Sequence, residues 1–352
     1  MNRFEYVRPS SVAEAVTAAG EPGSAYLGAG TNLLDLMKGG VTRPSRLVDL
    51  THLPDLSHIE TLPDGSTRIG ALVKNSALAH DPDFARRFPA VAEALLSGAS
   101  AQLRNAATLG GNLMQRTRCS YFADPASACN KRAPGSGCDA LHGENRSHAV
   151  LGWSDHCIAV HPSDLCVPLV ALGAIVEIAG TNGMREVPLT EFHCLPGDTP
   201  DQETVLDAGE MIVAVRLPAD ATAFAGHQRY LKVRERTSYA FALASAAAAL
   251  KIADGKIVEA RIALGGVATK PWRSQAAEAI LAGAAPGQDA FEKAAEAAFA
   301  EARPSGDNAY KIELGNRVVA RVLAMAAAGT PERMPALPAS PFAPLPEGVV
   351  HV

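Results

Sequence analysis

The hydrophobic pattern gives the chain two regular ends and an irregular middle. Ser11 followed by Glu14 reads as a capping box, and the helix it opens ends near Gly20. Residues 25–27 form a short apolar run that predicts a strand, which enters Gly28-Ala29-Gly30-Thr31-Asn32. Leu33, Leu34, Leu36 and Met37 predict a turn or two of helix, stopped by Gly39-Gly40. Residues 46–50 and 67–72 read as strands, the second after the turn Pro63-Asp64-Gly65. Residues 88–96 have helical period.

From 118 to 161 periodicity disappears, and it returns in the mostly apolar stretch 165–178. Residues 211–217 alternate like a strand, and 218–226 read as a linker. Residues 228–234 and 240–252 fit strands, although the Ala-rich stretch from Ala240 fits a helix equally well. Asp254-Gly255 makes a hairpin turn into 256–264. Helices are expected at 274–281, 289–302 and 308–327. The last 23 residues hold six prolines and read as an extended tail, either a disordered end or an arm laid on a partner.

Composition narrows the function. A length of 352 residues suits two domains and a sizeable core. A net charge of -5 gives no basic footprint for nucleic acid or an anionic membrane. No run of eighteen apolar residues exists, and Met1 to Tyr6 lack a signal core and a twin-Arg pair, so no export address is expected in this chain. The six cysteines all fall between 119 and 194, which points to a metal or cluster site in one stretch and away from a disulfide framework.

Two glycine loops carry the first chemical signal. Gly28 to Asn32 follows a strand and opens a helix, a place where backbone N–H groups face an anion and a side chain would block a phosphate. The acidic residue and second strand of a Rossmann unit are not in the right places, and a structural turn is the plain alternative. Thr108 to Asn112 repeats the chemistry eighty residues later, so the pair fits a diphosphate gripped from two sides.

These loops, Gly28-Ala29-Gly30-Thr31-Asn32-Leu33-Leu34 with Met37-Lys38, and Arg104-Asn105-Ala106-Ala107-Thr108-Leu109-Gly110-Gly111-Asn112, resemble the two FAD-pyrophosphate motifs of the xanthine dehydrogenase and carbon monoxide dehydrogenase flavoprotein family. Further matches follow in order: His161-Pro162-Ser163-Asp164-Leu165, Gly209-Glu210-Met211-Ile212, Tyr230-Leu231-Lys232, and Gly265-Gly266-Val267-Ala268 with Pro271 and Arg273. The resemblance spans residues 1 to about 328; Ala29 departs from it, since many relatives have glycine there. It implies an α+β fold. A two-subdomain FAD-binding domain of the vanillyl-alcohol-oxidase (PCMH) type would span 1–218, with subdomains at about 1–58 and 59–218. A smaller C-terminal α+β domain of the carbon monoxide dehydrogenase flavoprotein type would span 224–328, and a Pro-rich tail 329–352. It further implies non-covalent FAD held by Tyr26, Leu27, Gly28, Ala29, Gly30, Thr31, Asn32, Leu33, Gly98, Thr108, Gly110, Gly111, Asn112, Asp164, Ile212 and Lys232. The plain readings are a solvent-facing Lys232 and a helix-capping Asp164.

Most of that family pass almost directly from the Gly-Gly-Asn loop to the Ser-Asp-Leu segment, whereas here an insertion occupies about 114–160. Its pattern Cys-x9-Cys-x8-Cys-x18-Cys, formed by Cys119, Cys129, Cys138 and Cys157, resembles the FAD subunit of the bacterial periplasmic aldehyde oxidoreductases, whose insertion holds a 4Fe–4S cluster. Lys131 and Arg132 would offset the cluster's negative charge. Zinc is the rival, though no tight Cys-x2-4-Cys knuckle is present, and inert buried cysteines are the plain alternative. Cys166 reads as packing, and the neighbours His193-Cys194 do not read as a nucleophile. His142, His148 and His156 read as loop histidines in water.

The resemblance implies a heterotrimer. A large subunit would carry the molybdenum cofactor and oxidise an aldehyde to the acid, and a small one would carry two 2Fe–2S clusters. This chain would pass their electrons through FAD to an acceptor. It also implies a periplasmic location by co-export with a partner; without that partner the cytoplasm is expected. Alternatives are the flavin subunit of an aromatic acyl-CoA reductase or a xanthine dehydrogenase-like enzyme, a free-standing flavin oxidase, and a non-catalytic scaffold.

Overall fold

The computed structural model describes residues 1–333, so the expected Pro-rich tail falls almost wholly outside the described residues. Its start is anchored: Thr330 N–H donates to Gly226 O at 2.8 Å, and Thr330 Oγ1 accepts from Gln228 N–H at 3.0 Å.

Three sheets carry the described residues. The first is parallel, with β1 (Glu5–Val7), β2 (Ser24–Leu27) and β3 (Arg46–Asp49) in the order β1-β3-β2. Parallel strands need crossovers: the helix Val12–Ala19 joins β1 to β2, and the helix Leu33–Lys38 joins β2 to its neighbour β3. Ser11 Oγ accepts from Glu14 N–H as a cap should, but the Glu14 carboxylate reaches past it to Ser10 N–H and Oγ.

The second sheet is antiparallel and holds β4 (Ile59–Thr61), β5 (Thr67–Gly70), β6 (Ile175–Gly180), β7 (Gly183–Pro188) and β8 (Met211–Leu217), in the order β4-β5-β8-β6-β7. β8 is central and buried on both faces, which is why it is apolar nearly throughout. The segment 165–178 splits into the helix Cys166–Ala171 and β6. Residues 88–96 become the helix Pro89–Ser97, buried along nearly its whole length. Several short helices escaped the sequence pattern, among them Asn75–His80, Pro82–Arg87 and Ala101–Ala106, each too brief to show a period.

The third sheet, β9 (Gln228–Val233), β10 (Ala244–Ala253), β11 (Lys256–Gly265) and β12 (Trp272–Arg273), runs in the order β12-β11-β10-β9. The helices Gln275–Leu281, Gln288–Ala298 and Tyr310–Ala327 accompany it. The strand-or-helix ambiguity resolves to a strand. Ala244, Ala246, Ala248 and Leu250 pack with Val318, Val319, Val322 and Leu323, while Ala247 and Ala249 join the core of the preceding sheet. A strand buried on both faces has no polar positions, so its period of two vanishes from the sequence. The expected linker at 218–226 is instead the 3-10 helix Ala219–His227, with Ala221 and Phe224 fully buried. Across the junction, Glu93 accepts from Arg229 Nε at 2.9 Å and from Tyr230 N–H at 2.7 Å. Burial pushes the Glu93 carboxyl up, and these two donors oppose that.

The insertion stays irregular apart from the helical turn Ser120–Ala123 and the 3-10 turn Asp139–Leu141. Side chains do the work that a ladder would do elsewhere. The Arg132 guanidinium donates to the carbonyls of Tyr121, Phe122 and Ser127, and Asn130 links Gly137 N–H to His156 O. The C-terminal helix and the turn before it then grip the far side. Lys311 Nζ, fully buried, donates to Ser147 O, His148 O and Gly266 O, and Asn308 Nδ2 donates to His148 O and Ala149 O.

Candidate functional site

The two glycine loops converge on one hydroxyl. Thr108 Oγ1 accepts from Gly111 N–H at 3.2 Å, and a Cβ on Gly28 would stand 3.2 Å from the same oxygen. Gly30 has φ +75, where an L side chain is strained, and a Cβ there would lie 2.7 Å from Leu34 Cδ1. Asn32 Oδ1 accepts from Arg116 N–H at 2.8 Å, which ties the first loop to the segment after the second. Asn112 Oδ1 accepts from Ser163 Oγ and Gln115 Nε2, both at 2.7 Å.

The opposite wall comes from far along the chain. Lys232 Nζ lies 2.7 Å from Asp164 Oδ2, and Tyr230 Oη donates to Asp164 Oδ1 at 2.6 Å. The Lys232 side chain is 3% exposed and that of Asp164 10%, so Lys232 does not face solvent. Nor does Asp164 cap the next helix, because Ser163 Oγ takes Cys166 N–H.

Between these walls lies a cleft of about 510 Å³. Of the expected residues, Thr31, Asn32, Gly98, Gly111, Asn112, Asp164 and Lys232 line it. Gly28, Ala29, Gly30, Thr108 and Gly110 build the loops beneath. Tyr26, Leu27, Leu33 and Ile212 are not brought to it by their side chains. Tyr26 Oη donates to Gly209 O at 2.7 Å, and Ile212 lies in the core. Asn75, Arg104, Gln115, Arg118, Arg236 and Tyr239 line the cleft without having been singled out as cofactor ligands. For Arg104 and Arg118 the signal was a cation beside a motif already in view. Nothing local marks Asn75 or Gln115.

The cleft suits a large, polar, anionic ligand. Asn32 Nδ2, Arg104 Nε and Asn75 Oδ1 line it buried and without a protein partner, an arrangement that costs stability unless something else bonds to them. Burial draws the Arg104 and Arg118 guanidiniums down from their ordinary value, so an anion beside them would be held strongly. A further cleft of about 350 Å³ continues from the first through the shared Arg118, Pro162, Asp164 and Phe241, and reaches Cys119 and His148.

Cys119, Cys129, Cys138 and Cys157 are free thiols that come together in the insertion. Cys129 and Cys138 face each other across an isolated antiparallel bridge. The N–H groups of Phe122 and Tyr121 point at the Cys119 sulfur, those of Ala140, Leu141 and Ile158 at Cys138, and that of Ala159 at Cys157. Burial pushes the Cys119 thiol up to about 11 and raises Cys138 and Cys157 too. His142 and His156 are exposed as expected. His148 corrects the expectation: it is 4% exposed, with Nε2 3.2 Å from Cys119 Sγ.

His161, Cys166 and His193 bring one ligand atom each within 4.8 Å of one another. The hydrogen bond at His161 argues against a metal. His193 Nε2 faces Leu113 O and so carries a proton, leaving Nδ1 bare. Ser163 N–H donates to His161 Nδ1, which leaves the proton on His161 Nε2. The pair thus offers one donor and one lone pair, a neutral seam between loop and insertion. Burial lowers His193 to about 4 and His161 well below its ordinary value.

Residues 2–220 match the family described as the FAD binding domain in molybdopterin dehydrogenase, and residues 229–326 match the CO dehydrogenase flavoprotein C-terminal domain. The chain belongs to the FAD-binding subunits of the molybdopterin dehydrogenases. Within them it is 47% identical over 330 residues to the aldehyde oxidoreductase FAD-binding subunit PaoB of Escherichia coli (strain K12), covering 93% of this chain and 99% of that one. It is 30% identical to the carbon monoxide dehydrogenase medium chain of Hydrogenophaga pseudoflava, covering 91% and 96%. Among solved structures, the reconstituted CO dehydrogenase from Oligotropha carboxidovorans matches with a TM-score of 0.74 at 25% identity, covering 94% of this chain and 99% of that one. A molybdopterin dehydrogenase subunit of this kind is an FAD-dependent oxidoreductase component with an electron-transfer role.

Proposed function

We propose that this chain is the electron-transfer flavin subunit of a heterotrimeric, molybdenum-dependent aldehyde oxidoreductase, and that its insertion holds a 4Fe–4S cluster. The observation that carries the flavin part is the cleft with its three orphaned polar groups, Asn32 Nδ2, Asn75 Oδ1 and Arg104 Nε. Asn32, Thr31 and Arg104 would hold polar groups of the cofactor, and Gly28 and Gly111 keep the backbone clear of side chains. Asp164 and Tyr230 fix Lys232 so that its ammonium stays at the cleft wall. When bound, FAD accepts electrons from one-electron centres and releases them singly or in pairs. The aldehyde reading rests on the 47% identity to a subunit that carries that name.

For the cluster, the residues fit in three ways. Four thiols meet, backbone N–H groups point at three of them, and Lys131 lies close enough to Cys157 to favour its thiolate. Zinc is the rival occupant of the same four thiols. The molybdenum cofactor and 2Fe–2S clusters belong on large and small partner subunits, and periplasmic residence would follow from co-export with one of them. Neither described cleft presents a general acid/base set of the substrate-oxidising kind, so aldehyde oxidation is assigned to a partner.

Anaerobic purification with an absorption spectrum and flavin and iron quantification tests both parts. Flavin bands with about four irons per chain are expected. Flavin with zinc in place of iron removes the cluster, and the absence of both removes the electron-transfer reading. The single chain should not turn over aldehydes; turnover would refute the assignment of that chemistry to a partner.

A further inference from the structure

The expectation that the insertion histidines sit in water leaves His148 unexplained, because its ring is buried against a thiol. The main chain around it is held from three sides. His148 N–H donates to Asn145 O at 2.9 Å, and its carbonyl accepts from Asn308 Nδ2 and Lys311 Nζ, both at 3.0 Å. On the ring, Nδ1 is buried without a partner and Nε2 meets Cys119 Sγ at 3.2 Å. A cluster-bound thiolate carries only lone pairs, so the proton in this contact must come from the imidazole: Nε2–H donates to Sγ. Cys119 alone of the four lines the cleft that continues from the flavin cleft, and His148 lines the same wall.

We infer that Cys119 is the corner of the cluster that faces the flavin, and that His148 is a positioning residue whose N–H bond to Cys119 Sγ sets the cluster's reduction potential. This rests on the cluster reading above. With both groups bound, an electron exchanged between them would cross on the Cys119 side; no bond would form and His148 would keep its proton. A hydrogen bond to a ligand sulfur stabilises the more negative, reduced cluster, so its loss lowers the potential.

The test is a redox titration of the assembled enzyme, following the low-temperature EPR signal of the 4Fe–4S cluster in wild type, His148→Phe and His148→Gln. Flavin and iron are quantified in each. His148→Phe should keep both cofactors. Its reduced-to-oxidised ratio at the wild-type midpoint should fall about tenfold, which for one electron is about 59 mV. His148→Gln, whose amide can still donate, should return most of that ratio. Equal ratios in all three proteins, each with iron, would overturn this inference alone. Loss of iron from both variants with flavin retained would also overturn it, making His148 a structural support. A wild type without iron would sink the cluster reading first, and this inference with it.

Discussion

The flavin cleft and the cysteine insertion lie side by side, yet they are built by opposite strategies. The cleft is assembled from distant pieces: Gly28 to Asn32, Thr108 to Asn112, Asp164 and Lys232 meet only because three sheets and their helices place them. Its precision is borrowed from cores packed elsewhere, including the both-faces-buried strand β10 beside β9, which carries Lys232. The insertion has almost no regular structure and little core of its own. It is held by charged and amide side chains bonded to its own carbonyls, by Lys311 from the C-terminal helix and by Asn308 just before it. A site made from sheet elements is tied to global stability. One made from side-chain-to-backbone bonds can fail locally while the rest stands.

The largest expected effect lies in the cleft. Lys232→Met strands the buried Asp164 carboxylate, and removing one partner of such a pair costs about 3–5 kcal/mol. Urea unfolding should show that loss together with reduced flavin content; an unchanged midpoint would mean the pair is not a keystone of the cleft.

The seam between the two regions gives a pH test. His193 has a folded pKa of about 4, below the ordinary imidazole value, because burial disfavours its charged form. The unfolded chain therefore binds more protons between about pH 6.5 and 4, and stability falls as pH drops through that window. The contribution is about 3 kcal/mol, present in full above pH 6.5 and gone below pH 4. His193→Phe should flatten the acid limb of a stability–pH curve; an unaltered limb would place its origin in other groups.

The smallest effect should be local. Arg132→Ala frees the carbonyls of Tyr121, Phe122 and Ser127, at a cost of about 2 kcal/mol confined to the insertion. Iron should be lost while flavin is kept. Loss of both together would show that the two regions are one cooperative unit.

Much of the frame follows from local sequence. The capped helix after Ser11, the hairpin at Asp254-Gly255, the three C-terminal helices and the two glycine loops are all written in short-range pattern and turn chemistry. So is the clustering of four cysteines in one aperiodic stretch. What required the tertiary structure is whatever depends on a second, distant partner. The identity of β10 was hidden because burial on both faces erases alternation. Lys232 is legible as a cofactor residue only through the motif around it, and its buried bond to Asp164 needed the fold; His148 reads as a solvated loop residue until Cys119 is brought to it. Tyr26 sits inside a cofactor motif, but its hydroxyl goes to Gly209, 183 residues away. A side chain's type and spacing are local properties and survive in the sequence. Its burial, its hydrogen-bond partner and hence its electrostatic state are set by residues far along the chain, and only the folded structure decides them.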